Sequence, residues 1–212
     1  MTLPTLWGRA SSVNVQKVMW ALAECEVPHD RRDAGWTYGQ TDTEAFRAMA
    51  PLGRVPVWQE GDFALWESHV ILRHLARGPC AALWPEDRLA RAEADLWMEF
   101  TTTTLLPALL GVFHQKVRMT ESERSEAAIA RHLKGLEAAL DILEARLEGR
   151  DWLLGNALTL ADITAGVGMF RYHDMDIPRR DRPAILAWYD RMRARPAYQG
   201  SAMTSYDELR AV

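Results

Sequence analysis

The chain has 212 residues, a formal net charge of -4, 48% hydrophobic and 25% charged residues, the profile of a folded protein that buries a core in one large domain or two small ones. That balance excludes a disordered chain and argues against general affinity for nucleic acid, so no nucleic-acid partner is expected. The longest apolar run, LLPALLGVF from Leu105, is interrupted by a proline and falls short of the roughly 18 residues of a membrane helix, and the N-terminus lacks a secretion signal; a cytoplasmic protein with no membrane partner is expected.

In chain order, Thr2 to Trp7 is a short β-patterned start, and Gly8-Arg9-Ala10 leads into a helix beginning near Ser11 or Ser12. Val15, Val18, Met19, Leu22 and Ala23 then recur at helical spacing and predict one buried stripe. Val27-Pro28 breaks the pattern, His29 to Asp33 reads as a second strand, and Ala34 to Gln40 as an exposed loop. Thr41-Asp42-Thr43-Glu44 matches a capping box ahead of a short helix with Phe46 and Met49. Val55 to Gln59 and Phe63 to Trp66 flank Glu60-Gly61-Asp62 and predict a hairpin. A helix with Val70, Ile71, Leu75 and Ala76 on one face follows, with Glu67 and Ser68 at its opening. The order βαβαββα implies a right-handed βαβ unit closed by an antiparallel edge, a thioredoxin-like arrangement.

Gly78-Pro79 and Trp84-Pro85 bracket a connector, so the expected domains are 1–80 and 86–212, the second all helical. Its first helix is predicted from Asp87 to Val117 with a kink at Pro107, and the next from Glu121 to Leu147. Thr159-Leu160-Ala161-Asp162 is a second capping box opening a buried helix to about Tyr172, and Pro183 to Arg193 supplies another. Cys25 and Cys80 fall in separate elements without Cys-x-x-Cys spacing and read as structural residues that form no obvious pair. The six histidines show no ligand spacing, so no metal site is expected. Pro56 cannot donate a ladder bond, and sequence mechanics alone would leave Val55-Pro56 trans.

The string PLGRVPVWQEGDFALWESHVIL from Pro51 is similar to the glutathione-binding signature of the glutathione transferases, and LTLADI and AWYDRMRARPAY lie where that family carries such strings. The resemblance covers nearly the whole chain and is closest to bacterial members of serine or asparagine type. It implies a cis bond at Pro56, pairing of the Val55 backbone with glutathione, and Glu67 and Ser68 holding the γ-glutamyl end. Arg54, Gln40 and Tyr38 become candidates for the glycyl end. The resemblance also implies a homodimer, with apolar side chains offered by the loop from Met49 to Leu52.

Such an enzyme makes the thiol of its co-substrate glutathione nucleophilic by stabilising the thiolate, so a donor is needed at the start of the first helix, where Ser11, Ser12 and Asn14 lie. Spacing alone makes Ser12 an ordinary cap; the resemblance makes it the leading thiol donor, with Ser11 and Asn14 as alternatives. No cysteine occupies this turn, which argues against a mixed-disulfide mechanism. Trp97, Thr101 and Thr104 share a face of the long helix and are candidates to line a pocket for small hydrophobic electrophiles, although aromatic stripes are more often core. Isomerisation, ether cleavage or peroxide reduction at the same site, and a non-catalytic binding module of the same fold, are the competing expectations.

Overall fold

The computed structural model describes residues 2–211; Met1 and Val212, the outermost residues of the two expected domains, lie outside the described residues. β1 (Thr5–Trp7) leads through Gly8 into α1 (Val13–Glu24), and β2 (Asp30–Arg32) returns parallel to β1. After a single 3-10 turn at Trp36–Tyr38 come α2 (Glu44–Met49), β3 (Val57–Glu60), β4 (Phe63–Trp66) and α3 (Ser68–Leu75). The sheet order is β2-β1-β3-β4, with β3 antiparallel to both neighbours. β3 starts only at Val57 because Pro56 has no N–H for the ladder, and Glu60 pairs with Phe63 across a Gly61-Asp62 turn.

Alternation sorts the sheet into two covered faces. Leu6 and Trp58 pair across β1 and β3 and are buried. On the opposite face Trp7 meets Phe46 of α2 edge to face, beside Ala34, Ala50 and Val57. The helix-opening box expected at Thr41 is shifted: Gln40 takes a positive φ of 72°, and Thr43 becomes the N-cap that accepts from Phe46 N at 3.2 Å. The α1 stripe also departs from expectation. Val15, Val18 and Leu22 are buried as predicted, but Trp20 and Ala21 are buried in place of Met19 and Ala23.

The reason for that rotation is a distant segment. The chain forms two compact units, one running to Leu83 and taking in Ala197–Thr204, the other covering Trp84–Pro196 and the residues from Ser205 on. The division expected at 80 and 86 does not anticipate this return, which sets Tyr198 edge to face against Trp20 at 4.7 Å. Likewise Cys25 and Cys80 are disulfide-bonded, with Cα atoms 5.4 Å apart, which corrects the expectation that they do not pair. α1 and α3 pack side by side, so the end of α1 and the segment after α3 meet although 55 residues separate them.

In the helical unit α4 (Arg88–Phe100) and α5 (Leu106–Val117) are joined by a wider π-helical turn at Thr101–Leu105. This turn, just ahead of Pro107, is where the predicted kink is absorbed, and the hydroxyls of Thr101, Thr102 and Thr103 donate to the carbonyls of Trp97, Met98 and Glu99. Against expectation, an 18-residue window of 88–117 reaches a mean hydropathy of 1.3, apolar enough to cross a membrane. Its residues Met98, Leu105, Leu109 and Val112 are fully buried, and 44% of the window is covered by the rest of the protein. α6 (Glu126–Leu147), α7 (Leu160–Gly166), α8 (Met169–Asp174) and α9 (Pro183–Arg193) follow, α7 and α8 being one expected helix divided near Gly168, and α10 (Pro196–Ser201) belongs from Ala197 on to the strand-containing unit. Asp162, with no exposed surface, accepts from Leu153 N at 2.8 Å, Thr159 N and Oγ1 at 2.9 Å, and Trp188 Nε1 at 3.1 Å.

Candidate active site

Two glycines let three loops meet in the strand-containing unit. Gly8 has φ 149°, and a Cβ there would sit 2.4 Å from Val15 Cγ2 and 3.2 Å from Val55 Cβ, so only glycine lets β1 turn into α1 against Val55. Gly53 has φ 59°, and a Cβ there would meet the Thr41 carbonyl oxygen at 2.7 Å. The segment after Gly53 is thereby aimed beside α1. Val55-Pro56 is cis.

The result is a cavity bordered by Arg54, Val55 and Pro56 on one side and by Trp66, Glu67 and Ser68 on another. Asn14 reaches it from α1, and Ala50 and Leu52 complete the wall. Two helices open at or beside it, and neither is closed by its own side chain. Ser12 is the N-cap of α1 with φ -81° and ψ 120°, yet its side chain makes no capping bond. Glu67 is the N-cap of α3 with φ 69°, a conformation rarely taken by non-glycine residues, and it too makes no side-chain cap. The first N–H groups of such helices lack intrahelical partners and carry the positive end of the helix dipole, a natural seat for a carboxylate or thiolate.

One turn below the rim, a buried pair ties the two helices together. Lys17 Nζ of α1 lies 3.1 Å from His69 Nε2 of α3. Burial, then the charges of Lys17 and Arg73, pull the His69 pKa down to about 3, so the imidazole is neutral and accepts from the ammonium. Lys17 is three residues on from Asn14, and His69 follows Ser68, so the pair braces the helix ends that border the cavity. Sequence reasoning missed it, since no local pattern links positions 52 residues apart.

Of the residues singled out in the sequence, Asn14, Arg54, Val55, Pro56, Glu67 and Ser68 come together around one cavity. Ser12 stands at the head of α1 two residues before Asn14, partly exposed, whereas Ser11 is buried. Tyr38 lies in the 3-10 turn and Gln40 in the loop after it; both are exposed and neither borders the cavity. Trp97 and Thr101 are buried in the helical unit, Trp97 against Phe100 and Thr101 bonded to the Trp97 carbonyl. Thr104 is exposed on the π-helical turn. Among the described residues no group of three or more His, Cys, Asp or Glu gathers in a metal-binding arrangement.

Comparison with known proteins agrees with this geometry. Residues 11–77 match the glutathione S-transferase N-terminal domain and residues 95–196 the glutathione S-transferase C-terminal domain. The glutathione S-transferase GstB of Escherichia coli is 35% identical over 202 residues, covering 94% of this chain and 97% of that protein. Glutathione S-transferase 4 of Zea mays is 29% identical, covering 91% and 88%. The theta class glutathione S-transferase of Xanthomonas axonopodis pv. citri, solved with glutathione bound, superposes with a TM-score of 0.92 at 38% identity, covering 97% of this chain and 99% of that one. The chain belongs to the glutathione S-transferase family, an enzyme that takes glutathione as its co-substrate.

Proposed function

We propose a transferase of serine type, in which the Ser12 hydroxyl donates to the sulfur of glutathione and the open end of α3, with Ser68 and Glu67, holds the γ-glutamyl carboxylate and amine. The observation that carries this reading is that the Ser12 hydroxyl is not used to cap its own helix. A free thiol has a pKa near 8.5, and lowering it by about two units is worth about 2.7 kcal/mol. One hydrogen bond to a charged acceptor contributes about 1.5 to 3 kcal/mol and a helix N-terminus about 0.3 to 1 kcal/mol, so one hydroxyl at this helix end suffices. Arg54 at the cavity edge supplies a cation for the glycyl carboxylate. The Val55 backbone adds an extended pairing to the peptide. The acceptor substrates in this reading are small hydrophobic electrophiles.

A second donor is supported by a separate observation: Asn14, and not Ser12, borders the cavity. Ser12→Ala separates the two. Loss of the hydroxyl is expected to raise the bound thiol's pKa by about one to two units from about 6.5, which lowers the thiolate fraction and conjugation at pH 7 about three- to twenty-five-fold with partial recovery at higher pH. Ultraviolet absorbance of the bound thiolate, titrated against pH, reads this directly. A titration unmoved in Ser12→Ala but shifted in Asn14→Ala transfers the role to Asn14.

The enzyme is further proposed to act as a homodimer. Leu52 and Val70 of the strand-containing unit are 55% and 45% exposed, side chains of a size that protein contacts cover. Sedimentation equilibrium is expected to give twice the chain mass; a single-chain mass at micromolar concentration rejects the dimer.

A further inference from the structure

Cys25 and Cys80 both lie in the strand-containing unit, at the far ends of the two helices that open on or beside the glutathione cavity. Cys25 is the C-cap of α1, and Cys80 follows the end of α3, its N–H donating to the Leu75 carbonyl at 2.9 Å. An enzyme that takes glutathione as its co-substrate works where that thiol is present. In such surroundings a disulfide either resists reduction permanently or is opened and remade.

The setting of the two cysteines favours the second case. Cys25 is partly exposed whereas Cys80 has no exposed surface, so a thiolate from solvent approaches the bond from the Cys25 side. The reduced state is also provided for. The Cys80 sulfur lies 3.6 Å from the Ala21 carbonyl oxygen, an acceptor for its S–H once the bond is open. The Cys25 N–H donates to the same carbonyl at 3.2 Å, which closes the end of α1 with or without the cross-link. Glu24 and Glu26 flank Cys25, and their charge slows the approach of an anionic thiol, so the exchange runs over minutes to hours.

We propose that the Cys25–Cys80 bond is a reversible exchange site for glutathione, apart from the transferase cavity, and that opening it loosens the α1–α3 pair. The thiolate of one glutathione bonds to Cys25 Sγ as the Cys25–Cys80 bond breaks, and Cys80 leaves with the electron pair and takes up a proton. A second glutathione thiolate attacks the sulfur of the first, which releases oxidised glutathione and frees Cys25, protonated in turn as a thiol. Two glutathiones are thus oxidised and one protein disulfide reduced; oxidised glutathione drives the reverse. The exchange does not depend on whether Ser12 or Asn14 holds the sulfur in the cavity.

The full chain, equilibrated for hours without oxygen in buffers running from reduced to oxidised glutathione, is quenched with acid, and its free thiols are alkylated and counted by mass spectrometry. Both cysteines of the chain are expected to be labelled in excess reduced glutathione and neither in excess oxidised glutathione. Cys80→Ala leaves Cys25 without its partner and is expected to hold glutathione there, whereas Cys25→Ala holds at least tenfold less, because Cys80 is out of reach in the folded chain. The dithiol form is expected to melt about 5 to 10 °C below the disulfide form, since a cross-link 55 residues apart restricts the unfolded chain. A bond that dithiothreitol opens and glutathione does not is a permanent staple and overturns the proposal. So do free thiols persisting in excess oxidised glutathione, an adduct at Cys80 as abundant as at Cys25, or equal melting temperatures of the two forms.

Discussion

In the helical unit, the starts of α4, α6, α7 and α9 are closed from within. Asp87 accepts from Leu89 N and Ala90 N at the head of α4, Ser125 from Ala128 N at α6, and Asp162 from Thr159 N at α7. Even α9, which lacks a capping side chain of its own, has Ala184 N and Ile185 N donating to Glu144. In the strand-containing unit, α2 is capped in the same way by Thr43, yet α1 and α3 start on Ser12 and Glu67 with no such bond. A cap contributes about 1 kcal/mol. α8 also starts without a side-chain cap, but α1 and α3 are the two open starts that meet at one cavity, and this fits the proposed use of their N–H groups and the Ser12 hydroxyl by a ligand.

The largest expected effect breaks the closed side of that comparison. Asp162→Ala leaves the N–H groups of Leu153 and Thr159, the Thr159 hydroxyl and the indole N–H of Trp188 without their buried acceptor. A loss of about 4 kcal/mol or more is expected in urea unfolding. Ser12→Ala, which removes no capping bond, should change stability by less than about 0.5 kcal/mol while impairing conjugation. Equal destabilisation by the two substitutions would abolish the distinction between closed and open helix starts.

The second effect compares a buried imidazole, His69, with a half-buried one, His173. His69 stays neutral in the folded chain to about pH 3 and His173 to about pH 4, burial being the main cause in both. In the unfolded chain each takes up its proton near pH 6.5. Between those values the unfolded state binds more protons, so the contribution is fully present above about pH 6.5 and is lost as pH falls. His69 can contribute a slope of up to about 1.4 kcal/mol per pH unit, and half-buried His173 less, because solvent screens it. Urea midpoints measured from pH 7.5 to 4.5 should fall with acid in the native chain and fall less in His69→Gln, whose amide oxygen can still accept from Lys17. A midpoint as acid-sensitive in His69→Gln as in the native chain places the proton uptake elsewhere.

What was legible in the sequence follows the same division. Thr159 and Asp162 are three residues apart, so a local rule finds their box; the strand and helix order βαβαββα is equally local, because Gly61 and the periodic apolar residues announce it. Val55, Pro56, Glu67 and Ser68 fall within fourteen residues, and the resemblance of that string named them together. The features that escaped link distant positions: Lys17 with His69, Cys25 with Cys80, Trp20 with Tyr198. Each depends on α1 lying against another segment, and periodicity within α1 reports only that some face is buried. Thr41 misled for a smaller reason, since Thr43 satisfies a cap equally well and the positive φ at Gln40 decides between them.

The smallest expected effect concerns Glu67, where the open helix start and the unusual backbone coincide. At φ 69° a side chain with a Cβ costs about 1 kcal/mol or somewhat more relative to glycine, and Glu67→Gly removes that cost at an exposed position. Part of the gain is returned because glycine loses more freedom on folding, so a net stabilisation of about 0.5 to 1 kcal/mol is expected. Glutathione binding should move the other way. Without the Glu67 carboxylate the amine of the γ-glutamyl group loses a charged partner, and KM for glutathione should rise severalfold with kcat nearly unchanged, because this contact is remote from the sulfur and alike in ground and transition states. Thermal unfolding and glutathione saturation curves on the same preparation check both signs. A variant that is less stable than the native chain shows that other contacts of Glu67 outweigh its backbone cost, and one with unchanged KM shows that the residue keeps its conformation for a reason other than glutathione.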